Sequence, residues 1–155
     1  MAEVLVTEEF LDTYEGEVMF LSQDLEELSQ KILNTEFSQE ELELLAQNML
    51  DVHDVFLSST YTQHIAPIFK DFSDFIMDIE IDLLFKNEEC IIYLNAIVSD
   101  INTYINQYFV DRIFSDVYLF QDSLKNSTEF FESAYKHKQD SSLKESDDGS
   151  ELLFL

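Results

Sequence analysis

The chain has 155 residues, of which 33 are Asp or Glu and only 8 are Lys or Arg, so its formal net charge is −25. Such a surface would repel nucleic-acid phosphates and anionic lipid headgroups, because affinity for both depends on Lys and Arg. We therefore expect neither direct nucleic-acid binding nor membrane binding. The hydrophobic share of 46% is enough for one buried core in a single domain.

Turn-forming residues are scarce, with 2 Gly and 1 Pro in the whole chain. A fold of many β-strands needs such residues at its turns, so the composition predicts an all-α, up-down bundle of about five helices. Cys90 is the single cysteine and lies in an apolar run, which predicts a buried thiol in a reducing compartment. The segment MAEVLVTEE carries no basic and apolar leader, and we expect a cytoplasmic protein.

The first two predicted helices are read from apolar spacing. Residues 7–34 place apolar side chains at steps of three and four, which predicts one long amphipathic helix. Ser38 and Glu41 form a capping box that predicts the start of the second helix. The apolar positions of that helix are Leu42, Leu45, Met49, Val52 and Phe56, and residues 58–60 predict its end.

The remaining predicted helices follow after residue 62. Pro67 is tolerated in a first helical turn, so a third helix is expected from about residue 63 to 79. Asn87 and the two Glu after it predict the start of a fourth helix, which breaks near residues 109–111. A last helix is expected over residues 111–135, with an interruption at 126–127. Its apolar positions include Phe120, Leu124, Phe130 and Phe131.

The composition changes after residue 135 to KHKQDSSLKESDDGSE, which has almost no apolar residue. Such a segment cannot repay its ordering entropy, so residues 1–135 are expected to form the helical domain and residues 136–155 a flexible acidic tail. The tail ends in an apolar tetrapeptide. A tetrapeptide of this kind predicts a contact with a partner or with the bundle, through Leu152, Leu153, Phe154 and Leu155.

Residue patterns for catalysis or cofactor binding are not found. The histidines at positions 53, 64 and 137 form no pair at the spacing that loads a metal onto a helix, so neither a metal nor another cofactor is expected. Two Gly residues cannot supply a phosphate-binding loop or a nucleophile elbow. The sequence thus predicts a protein that acts by binding another protein and is not an enzyme.

His53 lies in the middle of the second predicted helix, between Asp51 and Asp54. A turn and a returning helix follow it, and over roughly residues 10–79 this order resembles a histidine-phosphotransfer domain of two-component signalling. The resemblance implies that His53 is a phosphoacceptor. The family places Lys and Gly at the third and fourth positions after its histidine, where this chain has Phe56 and Leu57, so the motif is degenerate. The alternative is a histidine at the edge of the core.

A second resemblance lies in the run Phe-Gln-Asp-Ser-Leu-Lys-Asn at residues 120–126. It is similar to a segment of the helical chemotaxis phosphatase that dephosphorylates receiver domains, although that family has Gln where this chain has Asn126. The resemblance implies that Asp122 engages a basic residue and that Asn126 orients an attacking water. The acidic tail with its apolar end is similar too. The alternative is a solvated helix face.

Both resemblances imply the same class of partner, a response-regulator receiver domain or a kinase. The leading hypothesis is therefore a two-component signalling accessory or adaptor, a degenerate phosphotransfer-like module. The receiver phosphatase is one alternative. The other is an acidic inhibitor that mimics nucleic acid and blocks a basic protein, which is suggested by the charge of −25.

Overall fold

The computed structural model describes residues 8–34, 36–60, 62–112 and 117–147. Within them the chain forms six α-helices and one π-helical turn, and no strand is found in these ranges. The predicted all-α helical bundle is therefore confirmed. The elements are α1 (Glu8–Leu33), α2 (Gln39–Leu57), α3 (Ala66–Met77), α4 (Ile81–Phe85), α5 (Glu88–Ile105), the π-turn (Asn106–Val110) and α6 (Val117–Asp147).

Five helices close a ring around one core. Going around it, α1 packs on α2, α2 on α3, α3 on α6, α6 on α5 and α5 on α1. The short α4 packs on both α5 and α6. Cys90 is buried on α5, as its apolar surroundings predict. Residue periodicity explains the ring, because the buried side of each long helix repeats at steps of three and four.

The start of α2 confirms the predicted capping box. The backbone N–H of Ser38 donates to Oε1 of Glu41 at 3.4 Å. The Ser38 hydroxyl donates to Oε2 of Glu41 at 2.8 Å. Pro67 lies in the first turn of α3, as predicted, since proline needs no partner for a backbone N–H there. The capping box therefore marks where α2 begins, whereas α3 begins at Ala66, three residues after its predicted start.

The predicted third and last helices differ in detail from the structure. α3 ends at Met77, and Ile79 is buried just beyond it, before the separate α4. α6 runs through residues 126–127 without the expected interruption. Its helical backbone continues past residue 135 to Asp147, so the domain boundary at 135 and the flexibility of the tail stay predictions. Residues 148–155 lie outside the described ranges.

Arg112 follows the π-turn, close to the predicted break near residues 109–111. Arg112 has a φ of 58°, in the left-handed region that residues with a side chain rarely adopt. Its guanidinium holds this turn against α1, since Nη2 donates to Asp12 at 2.7 Å and to Glu15 at 2.9 Å. Hydrogen bonds to both carboxylates raise the pKa of Arg112. The single Arg of the chain is thus committed to a structural contact.

Polar pairs align α1 with α5. The Ser22 hydroxyl donates to Oδ1 of Asn102, and the Ser29 hydroxyl donates to Oδ1 of Asn95. Both pairs lie one heptad apart on their helices, and the numbers rise on one helix as they fall on the other, so the two helices run antiparallel. Asn106 of the π-turn joins this set, with Nδ2 donating to Ser22 Oγ at 2.6 Å.

The core at the end of the bundle near the π-turn is aromatic. The rings of Phe56 and Phe69 stack with centroids 5.4 Å apart, and Phe109 approaches Phe56 edge-on at 5.7 Å. Tyr108 is buried in the same group, and burial raises its pKa to about 12. This cluster connects α2, α3 and the π-turn through side chains with specific ring geometries.

Candidate functional site

Four exposed side chains form a continuous strip on α6, which we call the α6 face: Leu119, Asp122, Asn126 and Phe130. They follow one another at steps of three, four and four residues, so they lie on one side of the helix. Leu119 is 68% exposed and Phe130 is 67% exposed. The face therefore has one apolar side chain at each end, and Asp122 and Asn126, the two residues that the phosphatase resemblance singles out, lie between them.

The opposite side of α6 explains why this face points outward. Leu124, Thr128, Phe131 and Tyr135 are buried against the rest of the bundle. The Tyr135 hydroxyl accepts a hydrogen bond from the backbone N–H of Glu80 at 2.9 Å, which joins α6 to the start of α4. With these contacts made, the α6 face is left to solvent.

A groove runs between α5 and α6, beside Phe130, and we call it the α5–α6 groove. Its volume is about 270 Å³, and it is lined by Tyr93, Ala96, Ile97, Ser127 and Phe130. Ile97 is buried, whereas Phe130 stands in solvent. None of the lining residues is charged. This is an apolar depression on a strongly acidic chain.

A second groove lies on the other side of α6, against α3, and it has the opposite character. Its volume is about 150 Å³, and its lining includes Asp71, Lys125, Glu129 and Glu132. Burial raises the pKa of Glu132, Lys136 lowers it, and Asp71 and Glu129 raise it further. The two grooves beside α6 thus differ in charge, and the apolar one adjoins Phe130.

His53 lies on α2, in a different part of the ring from the α6 face. Its side chain is 17% exposed, and its Nδ1 lies 3.0 Å from Oδ1 of Asp54. α2 packs on α1 and α3, whereas α6 packs on α3, α4 and α5. The structure therefore does not bring His53 together with Asp122 and Asn126, and its role as phosphoacceptor stays a prediction.

Comparison with family models, with curated proteins and with solved structures found no match for this chain. None of the described helices combines the length and the apolar composition that crossing a lipid bilayer requires. Among the described residues, no group of three or more His, Cys, Asp or Glu side chains is arranged to hold a metal ion. The assignment of a function therefore depends on the geometry of the surface.

The sequence indicated some of these site residues and missed others. The spacing of Asp122 and Asn126 predicted a shared helix face, and the structure places both in solvent. Phe130 stood among the apolar positions of the last helix, and its exposure was not foreseen. Two adjacent aromatics on a helix diverge by about 100°, so the pair Phe130–Phe131 is a signal that one ring faces outward. The terminal residues Leu152, Leu153, Phe154 and Leu155 lie outside the described ranges.

Glu17 of α1 lies near two carboxylates of α2, Asp51 and Asp54, and the three form an acidic cluster. Burial raises the pKa of Glu17, and the nearby carboxylates of Asp51 and Asp54 raise it further. Like charges at this contact favour the protonated form of Glu17 in the folded chain. The cluster therefore disfavours the folded state at neutral pH.

We expect Glu17 to increase the free energy of unfolding as the pH falls from neutral towards 4.5, the ordinary pKa of its carboxyl group. A carboxyl whose pKa is raised on folding binds more protons when folded, so its stabilising contribution is present at low pH and is lost as the pH rises through the raised pKa. Glu17→Gln should raise the urea midpoint at pH 7.5 and flatten this pH dependence. Glu26→Gln, which removes a carboxylate elsewhere on α1, is the control, and equal pH slopes for both variants would contradict the expectation.

Proposed function

We propose that this chain is a non-catalytic accessory of two-component signalling, which docks a response-regulator receiver domain or a kinase through the α6 face and the adjoining α5–α6 groove. The observation that supports this most is the exposure of Leu119 and Phe130 on one strip of α6. Phe130 also lines the α5–α6 groove, and an exposed aromatic side chain that continues into an apolar groove is a candidate interaction site. The class of partner comes from the resemblance of the sequence to signalling bundles.

The lining of the groove favours a protein partner over a small molecule. Pockets for drug-sized ligands typically measure about 300–1,000 Å³ and enclose their ligand with a few placed polar groups. The α5–α6 groove, at about 270 Å³, lies at the lower edge of this range. Among its lining residues, only Tyr93 and Ser127 have a polar group in the side chain. Such a depression fits one or two apolar side chains that project from another protein.

Binding to purified receiver domains tests the proposal. With the full chain immobilised, each receiver is measured with and without phosphorylation by acetyl phosphate. We expect Phe130→Ala to weaken receiver binding about tenfold, which corresponds to about 1.4 kcal/mol. Phe20→Ala is the matched control, because Phe20 is 73% exposed on α1 and lies off the α6 face.

Two results would overturn the docking proposal. The first is that none of the receivers tested, and none of their cognate kinases, binds the wild-type chain. The other is equal weakening by Phe130→Ala and Phe20→Ala, because a general loss of exposed apolar surface would then explain the effect. Phe130 is exposed, so we expect its variant to keep the fold.

A receiver phosphatase is the second candidate, and the arrangement of the α6 face favours it. Asp122 and Asn126 are both exposed, lie one helical turn apart and sit between the two apolar side chains. A receiver docked over Leu119 and Phe130 would therefore cover both polar groups. In this case Asn126→Ala would abolish dephosphorylation of a phospho-receiver and leave binding intact. Unchanged decay of the phospho-receiver in the presence of the wild-type chain excludes this candidate.

A further inference from the structure

One face of α5, which we call the α5 strip, has two uncharged residues in its middle and a carboxylate at each end. Glu89, Tyr93, Ala96 and Asp100 follow one another at steps of four, three and four residues, so they lie on one face of α5. Glu89 and Asp100 are both exposed. At 1.5 Å per residue their backbones are about 16 Å apart along the helix. The α5 side of the groove, formed by Tyr93 and Ala96, thus lies between two exposed carboxylates on the same helix face.

Small side chains in the groove leave room for a backbone to approach. Ala96 comes from α5 and Ser127 from α6, and both line the depression between the larger Tyr93 and Phe130. Two packed helices with small residues between their ridges form a channel into which a third helix lies well. A helix is therefore the element that fits this surface.

We infer that the α5–α6 groove binds an amphipathic helix of the partner, with apolar residues in its middle and a Lys or Arg at each end, about 16 Å apart along the helix axis. This inference depends on the proposed docking function and specifies the chemistry of the partner. Charge complementarity supports this inference, because the basic ends of the helix would face Glu89 and Asp100 while its apolar side chains enter the uncharged groove. The spacing reads the same in both directions, so the helix can lie either way.

A second copy of this chain is a poor occupant of the groove. Each copy carries a net charge of −25, so docking would bring acidic surfaces together. Carboxylates outnumber basic side chains by 33 to 8, so Glu89 and Asp100 of one copy would mostly meet acidic surface on the other. The charges of the groove ends thus select a basic partner.

Synthetic peptides test the inference with the full chain. One helix-stabilised peptide carries Lys, Leu, Leu and Lys at the same spacing as the α5 strip, and a second carries Glu in place of both Lys. We expect the chain to bind the Lys peptide, with affinity falling as salt is added, and to bind the Glu peptide at least tenfold more weakly, measured by fluorescence anisotropy. The double variant Glu89→Lys and Asp100→Lys should reverse this preference.

A second pair of charge reversals serves as the control for the overall field of the protein. Glu26→Lys with Glu43→Lys changes the net charge by the same amount on α1 and α2. If both double variants lose the same affinity for the Lys peptide, the inference is overturned, because the total charge of the protein would then explain binding. Helix content by circular dichroism verifies that each variant is folded.

Receiver binding, measured on the same samples, separates this inference from the proposed function. A chain that binds the receivers but neither peptide refutes the helix and leaves the docking proposal standing. A chain that binds the Lys peptide but no receiver or kinase supports the helix-binding groove and refutes the signalling partner. Self-association of the wild-type chain that Phe130→Ala abolishes, seen by sedimentation, would assign the groove to a second copy and overturn the inference.

Discussion

Phe56→Ala is expected to lower the free energy of unfolding by about 3–5 kcal/mol, the usual cost of truncating a large buried aromatic side chain. Phe56 is fully buried, stacks on Phe69 and meets Phe109 edge-on. The truncation would open a cavity where α2, α3 and the π-turn converge. Urea denaturation followed by far-UV circular dichroism measures the change as a lower midpoint with an unchanged slope.

Phe130→Ala is the control for this expectation and connects it to the docking surface. The same truncation at an exposed position should change the free energy of unfolding by less than about 0.5 kcal/mol. A stable Phe130→Ala chain also shows that lost receiver binding is not caused by unfolding. A cost below about 1 kcal/mol for Phe56→Ala would mean that the aromatic cluster repacks around the cavity.

Local sequence signals were sufficient for the five longer helices and for the starts of α1, α2 and α5. The apolar spacing of α1 and the cap at Ser38 depend on neighbours within a few residues, so they are visible in the sequence itself. α4 was missed because its five residues are too few to show a helical period. The π-turn was also missed, since it is stabilised by contacts with α1 that are distant in the chain.

The surface was harder to predict than the core. Asp122 and Asn126 could be placed on one face because their spacing is local. The α5–α6 groove could not, because Tyr93 and Phe130 come from different helices and meet only when α5 packs on α6. Periodicity also does not say which of two adjacent aromatics turns inward. That choice depends on the contacts that bury Phe131.

Two asparagines differ in whether their amides have hydrogen-bond partners, and this difference was likewise hidden in the sequence. Asn102 accepts a hydrogen bond from Ser22 and another from Asn106. Asn102 is half-buried, whereas Asn48 on α2 is buried and its Nδ2 has no hydrogen-bond partner among the described residues. An unsatisfied buried polar group costs about 1–3 kcal/mol, so the two asparagines should respond to the same substitution with opposite signs.

Asn48→Leu is therefore expected to raise the free energy of unfolding by about 1–3 kcal/mol, because it replaces an unsatisfied amide with an apolar side chain of similar size and better helix propensity. Asn102→Leu should lower it by about 1–2 kcal/mol, since the hydroxyl of Ser22 loses its acceptor. Urea midpoints of both variants, measured beside the wild type at one pH and salt concentration, check the two signs. A loss of stability in Asn48→Leu would show that the amide makes a contact that the folded chain needs, and α2 would then be stabilised by a polar interaction as α1 and α5 are.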